Sequence, residues 1–173
     1  MKKIIAVSVL VCLTITLVFT TALAQEEPAF VSPIDGTYFE VSQGQEVILW
    51  MGWVACTKGL ATDFLTSVHL YWELDGEPLF SSDEEVAESW FPLQPWQPYS
   101  VCIPRLGRQQ TWFAFWGYPL GSFDEVGTHT VKLEIWFDHP VTDGFDSDGD
   151  KRPDIYSGST GLLSATIEVV EGP

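Results

Sequence analysis

The sequence predicts an all-β protein, an antiparallel β-sandwich with a short helical insertion. Three observations support this fold class. The chain contains about seven short runs with the alternation or the β-branched and aromatic content of strands. Turn signals separate these runs, and long helical patterns are rare. Roughly 150 residues of this kind are typical of one sandwich domain.

The first strands lie on either side of clear turns. Residues 33–36, Pro-Ile-Asp-Gly, predict a turn, and residues 37–41 predict the strand that follows it. Residues 46–55, EVILWMGWVA, are apolar on both faces, which is typical of a central strand covered on each side. Residues 68–74 and 77–80 are two further runs joined by Asp75-Gly76, a strong hairpin signal.

The next segment predicts the helical insertion and a loop. Ser82 and Glu85 form a capping-box pattern, which predicts a two-turn helix that ends near Trp90. Residues 91–104 contain four prolines and predict a rigid loop that is held in place by Cys102.

The remaining strands are predicted over residues 111–118, 128–137 and 162–170. The alternation is clearest in the second of these, where Val131, Leu133 and Ile135 fall on one face. It predicts a half-buried strand.

The first 24 residues have the pattern of an export signal. Lys2 and Lys3 precede an apolar run over residues 4–23, and Ala22-Leu23-Ala24 provides small residues for cleavage. We interpret residues 1–24 as a signal peptide and residues 25–173 as a single domain, secreted or held at the cell surface and without membrane insertion after cleavage. A retained anchor is the alternative, because the apolar run is long enough to span a bilayer.

The charge balance narrows the range of partners. The chain has 24 Asp and Glu against 8 Lys and Arg, a formal net charge of −16. We do not expect nucleic-acid binding, since it requires clustered Lys and Arg. The 46% hydrophobic residues indicate a folded chain rather than a disordered acidic tail.

Cysteine usage agrees with export. Removal of the signal would remove Cys12 and leave Cys56 and Cys102, an even number. We expect these two to form a disulfide, and two buried reduced thiols are the alternative.

The most specific chemical pattern is the acidic segment 146–154, DSDGDKRPD. Carboxylates of Asp146, Asp148, Asp150 and Asp154 and the backbone carbonyl of Arg152 can converge on one hard cation, and calcium suits this spacing better than magnesium. An EF-hand is excluded because Ser157 occupies the twelfth position, where a bidentate Glu belongs. We therefore expect a structural calcium ion, and a solvated acidic turn is the alternative.

Two resemblances add to this interpretation. The segments 126–138, VGTHTVKLEIWFD, and 71–79, YWELDGEPL, resemble strands of bacterial and archaeal immunoglobulin-like surface modules. Unlike the antibody pattern, Cys102 precedes the presumed penultimate strand, so the bridge is expected to hold the proline-rich loop to the strand near Cys56. The acidic segment is similar to the calcium loops of thrombospondin type 3 repeats, although Lys151 stands where many of those loops have Gly.

These resemblances imply a non-catalytic, calcium-stabilised module for adhesion or envelope structure, with other surface proteins or glycans as partners. The alternative function is a carbohydrate-binding module that uses Trp90, Trp96 and Tyr99, in or beside the proline-rich loop. Five other tryptophans lie in strand patterns and are expected to fill the core: Trp50, Trp53, Trp72, Trp112 and Trp136. An enzyme is not expected, because the three histidines are scattered and catalytic motifs such as G-x-S-x-G are absent from the sequence.

Overall fold

The computed structural model describes residues 26–80, 82–97, 102 and 110–172. The predicted signal peptide, residues 1–24, and Tyr99 lie outside the described residues. The described chain forms two β-sheets and two short helices, and the predicted all-β class is confirmed.

The strands divide between a four-stranded and a five-stranded sheet. The first has the order β1-β3-β7-β6, formed by β1 (Ala29–Val31), β3 (Glu46–Ala55), β7 (Trp112–Ser122) and β6 (Gln94–Pro95). The second has the order β2-β9-β8-β4-β5, formed by β2 (Tyr38–Ser42), β9 (Tyr156–Val170), β8 (Gly127–Val141), β4 (Val68–Leu74) and β5 (Glu77–Pro78).

The sheets are mixed rather than wholly antiparallel as predicted. Strand β1 pairs in parallel with β3, and β2 pairs in parallel with β9. The turn at residues 33–36 explains this difference, because the amide of Asp35 donates to the carbonyl of Ser32 there and the chain passes from the edge of one sheet to the edge of the other. Two consecutive short strands therefore border different sheets.

One hydrophobic core lies between the two sheets. Trp72 of β4 stacks on Trp116 of β7 with ring centroids 5.1 Å apart, and both side chains are fully buried. The indole N–H of Trp116 donates to the carbonyl of Val86 at 2.9 Å, which joins the core to the helical insertion. Alternating residues of β8 complete this core, as the pattern of Val131, Leu133 and Ile135 predicts.

The predicted helical insertion is confirmed, and the structure also contains a second helix that was not predicted. Helix α1 spans Lys58–Ser67 and is capped by Thr57, whose side chain accepts a hydrogen bond from the amide of Leu60 at 3.2 Å. The predicted helix is α2, Asp83–Glu88, with Ser82 as its cap. Helix α1 covers one end of the core, where Phe64 stacks on Trp53 at 4.3 Å.

Candidate metal centre and aromatic face

The acidic segment lies in the connection between β8 and β9. The amide of Cys56 donates to the carbonyl of Asp143 at 2.7 Å, and Cys102 forms an antiparallel bridge with Phe145. Cys56 and Cys102 are joined by a disulfide, as predicted. The bridge joins Cys102 to Cys56, the residue directly after β3.

Gly144 makes this close approach possible. Its φ of +81° is in the left-handed region, and a Cβ atom there would lie 2.9 Å from Cβ of Cys56 and from Cδ1 of Leu60. A side chain at position 144 would therefore clash with Cys56 and Leu60 and displace the loop from the end of β3.

Asp143 is the buried end of the loop. Its carboxylate accepts hydrogen bonds from the amide of Phe145 at 2.8 Å and from the hydroxyl of Tyr156 at 2.9 Å. Burial raises the pKa of Asp143 above its ordinary value, and these hydrogen bonds only partly oppose that effect. Burial, followed by the hydrogen bond to Asp143, also raises the pKa of Tyr156.

Beyond Asp143, aspartate side chains accept hydrogen bonds from backbone amides of the same loop and form sharp turns. The amide of Asp150 donates to Oδ1 of Asp148 at 3.0 Å, and the amide of Arg152 donates to Oδ1 of Asp150 at 2.7 Å. Gly149 and Lys151 adopt left-handed backbone conformations, with φ of +81° and +71°. These turns fold the segment back on itself.

The result is a convergence of three carboxylates. One ligand oxygen from each of Asp146, Asp148 and Asp150 lies within 4.8 Å of the others. Asp148 and Asp150 are exposed, whereas both carboxylate oxygens of Asp146 are shielded from solvent. The three alternate carboxylates of the predicted set therefore form one cluster.

The other two predicted ligands lie at the closure of the loop. The amide of Asp154 donates to the carbonyl of Phe145 at 2.8 Å, and Oδ2 of Asp154 accepts from the amide of Ser147 at 3.2 Å. Asp154 thus stabilises the loop rather than belonging to the carboxylate cluster. Arg152 is exposed, and its backbone amide is bound to Asp150.

The donor set has the chemistry of a site for a hard divalent cation. A carboxylate has about four lone-pair positions, so the backbone hydrogen bonds to Asp148 and Asp150 leave oxygen atoms available to a cation. Clustered carboxylates repel one another, and an ion between them would remove that repulsion.

Trp90 and Trp96, the two described residues predicted for carbohydrate binding, do not share one surface. Trp90 packs against the core, with its ring edge-on to Phe64 at 5.7 Å. Trp96 is 41% exposed and lies against Phe113 on the outer face of the four-stranded sheet, with ring centroids 4.9 Å apart. Tyr99 is outside the described residues.

Trp96 is part of a wider aromatic face that sequence reasoning missed. A groove of about 510 Å³ runs over the outer face of the four-stranded sheet, and its aromatic lining consists of Phe30, Trp50, Trp96, Phe113 and Phe115. The alternation of side chains between the two faces of the strand predicted over residues 111–118 could have indicated part of this aromatic face. Phe113 and Phe115 fall on one face of β7, and the buried Ala114 and Trp116 fall on the other.

The strand β3 is therefore covered on one face and half-exposed on the other. Leu49 and Met51 face the core, while Trp50 and Val54 line the groove. The prediction that both faces of this strand are covered is corrected by this arrangement. Its apolar outer face belongs to the groove.

The three histidines are held at separate places by aspartates from other elements. Nε2 of His69 lies 2.9 Å from Oδ2 of Asp138, and Nδ1 of His129 lies 2.7 Å from Oδ2 of Asp75. Nε2 of His139 lies 3.1 Å from Oδ1 of Asp63. Each pair joins two elements of the fold.

Among the described residues, no helix is long and apolar enough to cross a membrane. No protein-family model matches the chain, and no curated protein matches it either.

Proposed function

We propose that this chain is a non-catalytic, calcium-stabilised immunoglobulin-like module that works outside the cytoplasm, in adhesion or envelope structure. The observation that carries the proposal is the convergence of Asp146, Asp148 and Asp150 to within 4.8 Å in the β8–β9 connection. Its proposed partners are other surface proteins or glycans.

Calcium is the proposed ion because the loop offers oxygen ligands in a flexible setting. Calcium takes six to eight oxygen atoms, and three carboxylates leave places for backbone carbonyls and water. The carbonyl of Arg152 and a rearranged Asp154 are proposed as the additional protein ligands. Outside cells, dissociation constants of about 10⁻⁴ to 10⁻³ M are typical of such sites.

The position of the loop supports a structural role for the ion. The connection joins β8 and β9, which pair with each other along most of their length in the five-stranded sheet. It is also anchored to the other sheet through Cys56, directly after β3. An ion bound here would stabilise the link between the two sheets.

The Cys56–Cys102 disulfide supports the proposed location, because structural disulfides persist in oxidising compartments. The signal-peptide pattern at residues 1–24 supports the same location. The three separate His–Asp pairs support a non-catalytic role, since each links structural elements rather than converging on a common pocket.

The calcium proposal is tested by thermal unfolding of the domain in chelator, in calcium and in magnesium. Calcium at tenfold excess over the dissociation constant would add about 1.4 kcal/mol of stability. For a domain of this size, that corresponds to a rise of roughly 3–6 °C in the melting temperature. Magnesium is expected to give a smaller shift, because it requires near-ideal octahedral geometry.

Two variants make the test specific to the loop. Asp148→Asn removes one charge from the cluster and is expected to abolish most of the calcium shift. Asp124→Asn removes one exposed charge elsewhere and is expected to leave the shift unchanged. Identical unfolding curves in chelator and calcium would exclude the proposed calcium site.

A further inference from the structure

The rings on the outer face of the four-stranded sheet form a connected platform. Trp96 contacts Phe113 at 4.9 Å, Phe113 contacts Phe115 at 5.9 Å, and Phe115 contacts Trp50 at 6.0 Å between ring centroids. The angles between successive ring planes are 34°, 39° and 27°. Each ring is therefore tilted by at most 39° from the next, and none of these three contacts is edge-to-face.

Two glycines allow the rings to lie low over the sheet. A Cβ atom on Gly52 would come within 2.7 Å of the ring of Phe113, and one on Gly117 within 2.9 Å of the ring of Phe115. The phenyl rings occupy the space that side chains at these positions would fill. The rings of Phe113 and Phe115 therefore lean over these two glycines on the outer face of the sheet.

The platform is uncharged although the chain is strongly acidic. Among the described residues, the seven that line the groove carry no charge, whereas the chain has a formal net charge of −16. The net negative charge of the chain would repel an anionic ligand, whereas it would not repel a neutral one. A second copy of the chain would bring a like charge of the same size to the face.

A hydrogen-bonding group borders the rings. Gln94 of β6 pairs directly with Phe113 in the antiparallel ladder, so their side chains lie on the same face of the sheet. Gln94 is exposed, and its amide can both donate and accept hydrogen bonds. An amide beside flat rings suits a ligand that combines apolar faces with hydroxyl groups.

We infer that this face binds a neutral polysaccharide, whose sugar rings stack on Trp50, Trp96, Phe113 and Phe115 while Gln94 binds hydroxyl groups. A pyranose ring has an apolar face of C–H groups and a polar rim, which matches both components of the platform. The inference rests on the proposed adhesive role and specifies the chemical class of its ligand.

The test is binding of the folded domain to cellulose and chitin in suspension and to xylan and mannan in solution. Alginate serves as an anionic comparison, and vesicles of phosphatidylcholine as an apolar one. Bound protein is measured by depletion, and tryptophan fluorescence follows the soluble ligands. The expected result is binding to at least one of the neutral polysaccharides and none to alginate or vesicles.

Three variants assign the binding to the platform. Trp96→Ala is expected to weaken it at least about fivefold, as for an aromatic contact that contributes strongly to binding. Trp96→Leu keeps apolar bulk without a ring and is expected to weaken it similarly, while Trp96→Tyr restores most of it. Tyr38→Ala, at a residue 56% exposed on the other sheet, is the matched control and is expected to bind as the wild type does. Circular dichroism and melting temperature verify that each variant is folded.

Other outcomes would overturn the inference. These are absence of binding to all four neutral polysaccharides, equal binding by the Trp96→Ala and Tyr38→Ala variants, and preferential binding to alginate or vesicles. Sedimentation that shows a dimer broken by Trp96→Ala, without polysaccharide binding, would assign the face to a second copy instead. The effect of calcium on the melting temperature is measured separately on the same preparations. Absence of polysaccharide binding can therefore be distinguished from absence of calcium binding.

Discussion

The ring of Phe113 lies over Gly52 of the neighbouring strand, so close that a Cβ atom at position 52 would be 2.7 Å from Cε2 of the ring. The Gly52→Ala variant must therefore displace the ring. We expect a loss of about 1 kcal/mol in the free energy of unfolding, the lower end for an overpacked site, because the ring is half-exposed and only its far end must move. Urea denaturation measures it.

Gly127→Ala is the matched control for this prediction, because a Cβ atom there would meet nothing within 4 Å. It is expected to change stability by less than about 0.5 kcal/mol. Equal effects of the two substitutions would show that the ring of Phe113 moves aside without cost.

The disulfide is expected to contribute strongly to stability. Cys56 and Cys102 are 46 residues apart, and the chain-entropy account assigns about 4 kcal/mol to a closed loop of this length. We expect the double variant Cys56→Ser, Cys102→Ser to lose most of that amount in urea denaturation. Reductant should destabilise the wild type and leave the double variant unchanged.

Asp75 is expected to stabilise the fold at neutral pH. Burial alone would raise its pKa, but hydrogen bonds with His129 and the amide of Thr130 hold the pKa below its ordinary value of 3.8. The contribution is therefore present above pH 3.8 and is lost as the pH falls through the folded-state pKa. Because the carboxyl is about half exposed, we expect only about 0.5 kcal/mol.

Asp75→Asn tests this charge while retaining the turn. Asn keeps an acceptor for the Thr130 amide and tolerates the left-handed conformation of position 75, where φ is +53°. The variant should be less stable than the wild type at pH 7 and equally stable in strong acid. A difference that does not change with pH would contradict a role for the charge.

Asp143 is expected to show the opposite pH dependence. Because burial raises its folded-state pKa above the ordinary value of 3.8, its contribution to stability is complete below that pH and is lost as the pH rises through the folded-state pKa. Relative to Asp143→Asn, the wild type should lose about 1.4 kcal/mol for each unit by which the pKa is raised. Urea denaturation in chelator, from acid to neutral pH, measures this difference.

Most of the longer strands could be predicted because their signal is local. In β8, Val131, Leu133 and Ile135 alternate with polar residues, and the structure buries them as the pattern requires. The hairpin at Asp75-Gly76 follows from the same local chemistry, since both residues adopt positive φ in the turn.

Other features depend on which elements pack together. Helix α1 has only three buried residues in its ten, too few for a clear periodic signal. The apolar run of β3 does not reveal that its outer face, with Trp50, remains half-exposed. The parallel pairing of β1 with β3 and of β2 with β9 depends on the path of the chain between the two sheets.

The acidic loop was predictable in part. The alternate spacing of Asp146, Asp148 and Asp150 is sufficient to bring their carboxylates together once the backbone turns at Gly149. Asp154 lies four residues further along, and its position depends on how the loop closes against Phe145. The sequence does not encode that closure in a recognisable pattern.

The parallel pairing of β2 with β9 determines how the fold would bear a mechanical load. A force that pulls the chain before Tyr38 away from the chain beyond Val170 acts along these two strands in opposite directions. It would shear the five paired positions together instead of opening them one after another. A module that holds a surface under tension would gain resistance from this geometry, and antiparallel pairing of the same two strands would not provide it.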